Sequence, residues 1–74
     1  MAEFKYDIVQ ELGIIGDSQS GWTTELNLIS WNDNKPKYDI RSWVPDHQKM
    51  GKGISLDAEE INKLYEILKT IVEA

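Results

Sequence analysis

The chain has 74 residues, a formal net charge of −5, 41% hydrophobic and 28% charged residues, and no cysteine. That length leaves room for a single domain, expected to span residues 1–74, and the proportions are those of a folded soluble protein rather than a disordered tail. Without cysteine there are no disulfides, thiolate metal sites or cysteine nucleophiles, so association with a second chain is the stabiliser left to so small a core.

Phe4 to Leu12 opens with Phe4, Tyr6 and Ile8 alternating with Lys5 and Asp7, the period of a half-buried strand. Gly13 and Gly16 bracket Ile14 and Ile15, and residues 16–21 have the composition of a loop. Trp22 to Trp31 reads as a second strand. Trp22, Thr24, Leu26, Leu28 and Ser30 share one face; Thr23, Glu25, Asn27, Ile29 and Trp31 share the other, which is the wetter of the two. Asn32 to Pro36 is turn chemistry and makes a hairpin with a third strand, Lys37 to Val44. That strand sets Tyr38, Ile40, Ser42 and Val44 against Lys37, Asp39, Arg41 and Trp43. Pro45 to Gly53 is expected to be a polar loop and Ile54 to Leu56 a short closing strand.

Asp57 followed by Glu60 predicts a capped helix running to about Val72. Its stripe of Ile61, Leu64, Tyr65, Leu68, Ile71 and Val72 is widened by Ile67 to roughly 160°, more than the ~100° that packing on one sheet demands. The excess predicts a homodimer whose interface includes Ile61, Leu64, Leu68 and Ile71. No stretch approaches the ~18 apolar residues of a membrane span, and the start MAEFKYDIVQ has no basic region followed by an apolar run. A cytoplasmic protein with no membrane partner is expected, nucleoid association being open to it.

Little in this inventory supports catalysis. His47 reads as a solvated loop residue, and a lone histidine cannot supply the histidine pairs or triads of most catalytic zinc sites. Glu59 and Glu60 suit the positive end of a helix dipole, and Gly51 to Gly53 is too short for a phosphate cradle. No catalytic residue, metal site or cofactor is expected. The charge, though acidic overall, is unevenly spread: Lys35 to Gly53 holds five cations against two anions. Screening over about 8 Å makes such local charge decisive. Aromatics interleaved with cations are what single-stranded nucleic acid requires, bases stacking on rings while cations follow phosphates. Trp31, Lys35, Lys37, Arg41, Trp43, Lys49 and Lys52 supply both. Trp43 can equally be core, and Trp22 leans toward core because it shares a face with Leu26 and Leu28.

The stretch YDIRSW (Tyr38 to Trp43), a loop with KMGKGISL (Lys49 to Leu56) and an Asp-capped helix resemble the transcriptional coactivator family called positive cofactor 4 over about Leu26 to Leu68. The resemblance implies an α+β fold in which a curved four-stranded antiparallel β-sheet precedes a C-terminal α-helix. It also implies a homodimer paired through the helices, with curved sheets that bind single-stranded DNA. By position, Arg41 and Lys52 would contact phosphates, Trp31 and Trp43 match aromatics at strand ends, and Lys35, Lys37 and Lys49 match basic loop residues. The long Ser-rich or Lys-rich N-terminal tail of eukaryotic members is not in this sequence, which looks like the compact bacterial type. The expected partner is oligo(dT)-like single-stranded DNA, bound largely without regard to sequence. Single-stranded RNA remains open because stacking does not tell ribose from deoxyribose, and the competing class is a protein-interaction module. The same binding chemistry would serve transcription, replication, repair or uptake.

Overall fold

The computed structural model describes residues 5–17 and 20–73. Phe4, the first residue of the expected strand, lies outside them, as do two residues of the expected 16–21 loop. The elements in chain order are β1 (Tyr6–Asp17), β2 (Thr23–Trp31), β3 (Lys37–Trp43), a single 3₁₀ turn (Pro45–His47), β4 (Met50–Leu56) and α1 (Ala58–Val72). The strands form one open, curved antiparallel sheet in the order β1-β2-β3-β4, and the helix follows it. This is the α+β architecture that the sequence predicts. None of the described helices is long and apolar enough to cross a membrane.

The β2–β3 hairpin turns on Asn32 (φ 51°) and Asp33 (φ 63°), two residue types that tolerate the left-handed region. The Asn32 amide donates to the Lys5 carbonyl (2.7 Å) and the Asn34 amide to that of Trp31 (2.9 Å), so the turn also anchors the start of β1. Behind it, Leu26 pairs with Ile40, Asn27 with Asp39 and Glu25 with Arg41. At the helix start, the Asp57 carboxylate accepts from the Glu60 amide (2.8 Å) while the Glu60 carboxylate accepts from the Asp57 amide (3.0 Å).

Two strands are longer than their sequence pattern suggests. β1 continues through Gly13 and Gly16 to Asp17 because three bulges, between Ile8 and Gln10, Glu11 and Gly13, and Ile14 and Gly16, absorb its broken alternation. β4 starts at Met50 rather than Ile54, and its glycines are what allow it to lie against β3. A Cβ on Gly53 would collide with the Arg41 Cβ and sit 2.5 Å from the Ile40 carbonyl oxygen. A Cβ on Gly51 would lie 3.3 Å from the Trp22 ring.

The two sheet faces are covered in the opposite sense from their polarity. The wetter face holds the buried residues: Ile29 and Trp43, with Glu25, Asn27 and Asp39 among them. Tyr6 from β1 and His47 from the 3₁₀ turn close over it, the Tyr6 ring 5.7 Å from the rings of both Trp31 and Trp43, and the His47 ring edge-on to Trp43 at 5.1 Å. On the other face Leu26, Leu28, Tyr38, Ile40 and Leu56 are only half-buried and Ile54 is exposed. α1 stands over this face without burying a single residue of its own. Two open apolar grooves separate them, lined by Ile40, Ile54 and Leu56 or by Ile15 and Leu26 on the sheet side and by Ile61, Leu64, Ile67 and Leu68 on the helix side.

Replacing Gly53 with alanine should destabilise the fold by about 1–3 kcal/mol or more, because backbone must move to admit the methyl group. Gly13→Ala, where a Cβ would meet nothing within 4 Å, should change the urea midpoint little. Equal midpoints for the two variants would mean that β4 does not approach β3 this closely.

Candidate nucleic-acid interface

Trp31 ends β2 on the face closed by Tyr6, and its indole is held from three sides. The indole N–H donates to the Ser55 hydroxyl (3.1 Å), which donates in turn to the Asp39 carboxylate (2.8 Å). Arg41 grips the same carboxylate with Nε (2.6 Å) and Nη2 (2.8 Å) and lays its guanidinium carbon 4.6 Å from the Trp31 ring centroid. Its Nη1 lies 3.1 Å from the Met50 sulfur. The strand register makes the ring of contacts close: Asp39 faces Asn27 on one side and Ser55 on the other, and Arg41, two residues on, shares its face. The result is a half-buried tryptophan that cannot swing away from the surface.

The expected site residues separate into three groups. Trp31 and Arg41 are brought together, as the shared face of β2 and β3 requires. Lys35, Lys37, Lys49 and Lys52 are exposed, on the hairpin, before β4 and within it, and none makes an ion pair among the described residues. Trp43, expected as a second stacking platform, is fully buried instead: it packs beneath Tyr6 and His47 and is the largest core side chain. An indole with no exposed ring face has nowhere to receive a base. Arg41 also differs from a free phosphate contact, since its side chain is 14% exposed and its charge is already matched by Asp39, which is completely buried.

Three other residues gather on this face unannounced by the sequence. His47, read as a solvated loop residue, is half-buried, with Nε2 2.8 Å from Glu25 Oε1 and 3.8 Å from Glu11 Oε1. Burial would push the Glu25 carboxyl up, but hydrogen bonds from Thr23, His47 and Asn27 outweigh it and hold the group below its ordinary range. The signal in sequence is faint, because these residues sit 14 and 22 positions apart and meet only through pairing and the turn. Consecutive left-handed residues, Asp46 (φ 64°) and His47 (φ 56°), bring the imidazole over the sheet.

A family model described as Transcriptional Coactivator p15 (PC4) matches residues 18–67, from before β2 to well inside α1. An uncharacterised protein of Treponema pallidum (strain Nichols) is 44% identical over 69 residues, 93% of this chain and 81% of that protein.

Arg41→Ala should destabilise the chain by about 3–5 kcal/mol, because it strands a buried carboxylate. Adding Asp39→Asn should recover a large part of that loss, since the orphaned charge is gone. Urea unfolding of the two variants decides the matter: a single variant as stable as the wild type, or no recovery in the double, would contradict the pairing.

Proposed function

We propose a function from one premise: the chain belongs to the transcriptional coactivator p15 (PC4) family, a family of nucleic-acid-binding proteins that are not enzymes. Within it, this is a compact bacterial-type member that binds single-stranded DNA on the face of Trp31, as a homodimer paired through α1. The observation that carries the reading is Trp31, a tryptophan at the surface whose orientation is fixed by Ser55, Asp39 and Arg41. A pre-oriented ring loses little freedom when a base stacks on it, and stacking accepts any base. Lys35, Lys37, Lys49 and Lys52 follow the phosphates. Arg41, neutralised by Asp39, acts chiefly by holding the ring. Trp43 has no contact role. Transcription, replication, repair and uptake all remain uses to which this chemistry is suited.

The homodimer is supported by how little the helix is covered. The accessible surface is 5826 Å², against about 4,700 Å² for a folded monomer of 8.5 kDa. The radius of gyration, 13.6 Å, likewise exceeds the ~11 Å of a compact chain of this length. Exposed apolar side chains of α1, Ile67, Leu68 and Ile71 among them, are part of that surface. Of the four expected interface residues, Ile61 and Leu64 are half-buried, while Leu68 and Ile71 are 45% and 65% exposed. A second copy laying its own helix and sheet face there would bury roughly the 800 Å² per partner of a standard interface.

Light scattering should give twice the 8.5 kDa chain mass at micromolar concentration. A mass of one chain would overturn the dimer, and Leu64→Asp with Leu68→Asp should produce monomers or unfolded chains. Oligo(dT) should bind in preference to duplex DNA of equal length, with oligo(U) as the measure of ribose tolerance. Trp31→Ala should weaken binding by ~1–3 kcal/mol with the salt slope unchanged. Lys49→Ala or Lys52→Ala should flatten the log–log salt slope by about 0.7 each. Duplex bound as tightly as oligo(dT) would refute the single-strand reading. Failure to bind any of the three would favour a protein-interaction module.

A further inference from the structure

Glu11 on β1, Glu25 on β2 and His47 in the 3₁₀ turn place one ligand atom each within 4.8 Å of one another. We propose that these three side chains bind one divalent cation of the zinc class per chain, a site built from residues other than those proposed to hold nucleic acid.

The geometry is close to what such an ion needs. Zinc bonds to imidazole nitrogen and carboxylate oxygen run to about 2.0–2.2 Å, so neighbouring ligand atoms at a tetrahedral centre lie about 3.4 Å apart. His47 Nε2 is 2.8 Å from Glu25 Oε1 and 3.8 Å from Glu11 Oε1, distances that straddle that spacing. Short rotations of two side chains, one of them an exposed Glu11 with freedom to move, would complete three ligands. One nitrogen with two carboxylates is a donor set for zinc and its neighbours in the transition series; calcium prefers six to eight oxygens and magnesium an octahedron rich in water.

The supporting contacts are those of a ligand rather than of a stray acid. Glu25 has an 8% exposed side chain, and its Oε1 accepts from Asn27 Nδ2 (3.1 Å) while its Oε2 accepts from the Thr23 hydroxyl. Outer contacts of this kind orient ligating carboxylates. The His47 ring is steadied edge-on by Trp43.

A second, independent feature points to an occupant. Asn27, 1% exposed, has a buried Oδ1 with no hydrogen-bond partner, and it lines the same open cavity of about 430 Å³ as Glu11 and Glu25. A buried acceptor without a donor is costly, and the same amide turns its Nδ2 to Glu25, so a small shift on cation binding that admitted a metal-bound water to Oδ1 would supply the missing donor. The cation would also offset two carboxylates on the face where Arg41 and Trp31 lie.

Titration calorimetry of the full chain with zinc chloride near neutral pH, alongside thermal unfolding, tests the site. One ion per chain should bind, raising the unfolding temperature as any native-state ligand does. Glu11→Gln, at an exposed position, should leave the metal-free fold unchanged and weaken zinc binding at least about tenfold. His47→Gln should abolish binding and the temperature rise, with circular dichroism confirming that the variant is folded. Absence of saturable binding to the wild type would overturn the proposal. So would zinc binding retained by either variant, or magnesium chloride binding as tightly as zinc, which would reveal only a general attraction to acidic groups.

Discussion

A carboxylate with no exposed surface cannot remain charged without a partner, and Asp39 has none of its surface exposed. The surrounding residues are arranged by that requirement. Arg41, two residues along the same strand, lies on the same face and reaches back with a fork of two donors, a geometry that lysine could not reproduce. Ser55 arrives from β4 by register and fills a further lone pair, and its oxygen then accepts from Trp31. Gly53, directly opposite Arg41, is glycine because any Cβ would occupy the space taken by the arginine stem. A single buried charge thus specifies an arginine, a serine, a glycine and the orientation of an aromatic ring.

The opposite face of the sheet has the reverse character. It is rich in leucine and isoleucine and yet poorly covered, because α1 lies far enough off the sheet to leave grooves on either side of Leu64. Apolar surface of this extent is unfavourable in water at roughly 25 cal/mol per Å². The polar face, by contrast, is already dense within one chain, sealed by Tyr6 and by the turn that carries His47. The chain therefore packs its polar face internally and leaves its apolar face poorly covered, the face that the proposed homodimer would bury in a chain of 74 residues with no disulfide.

That inversion explains which features could be read from sequence. The hairpin from Asn32 to Pro36 and the Asp57 capping box depend on neighbours a few residues apart, and both were legible. The alternation of β2 and β3 also gave the right two faces. It did not reveal which face would be buried in one chain, because polarity identifies a face that tolerates water, whereas Glu25, Asn27 and Asp39 are buried by hydrogen bonding to one another and to His47 and Arg41. Trp31 and Trp43 are both aromatic residues at strand ends on that face; only the paths of β1 and the 3₁₀ turn decide that the second is fully buried and the first half-buried. Periodicity carries β1 only to Leu12, short of its end at Asp17, because bulges erase the period on which strand recognition depends. The meeting of Glu11, Glu25 and His47 required the register, which no spacing in the sequence encodes.

On the proposed function, the pairing of Arg41 with Asp39 bears on how charge and stacking would divide the work in a net acidic chain. A guanidinium already matched by a buried carboxylate contributes a shape and a flat surface beside Trp31 more than a long-range field. Attraction of phosphates would then fall to the exposed lysines, which have no opposite charge paired to them among the described residues. Their field extends only about one Debye length, some 8 Å at physiological salt, and Lys35 and Lys37 line one pocket with Asp57 and Glu59, so the acidic helix start tempers the field of those two. Binding built in this way would be rapid and salt-sensitive through the lysines and indifferent to base identity through the ring. On the proposed function, selection of single strands would come from the one requirement that duplex DNA does not meet, a base free to leave its stack and lie on Trp31.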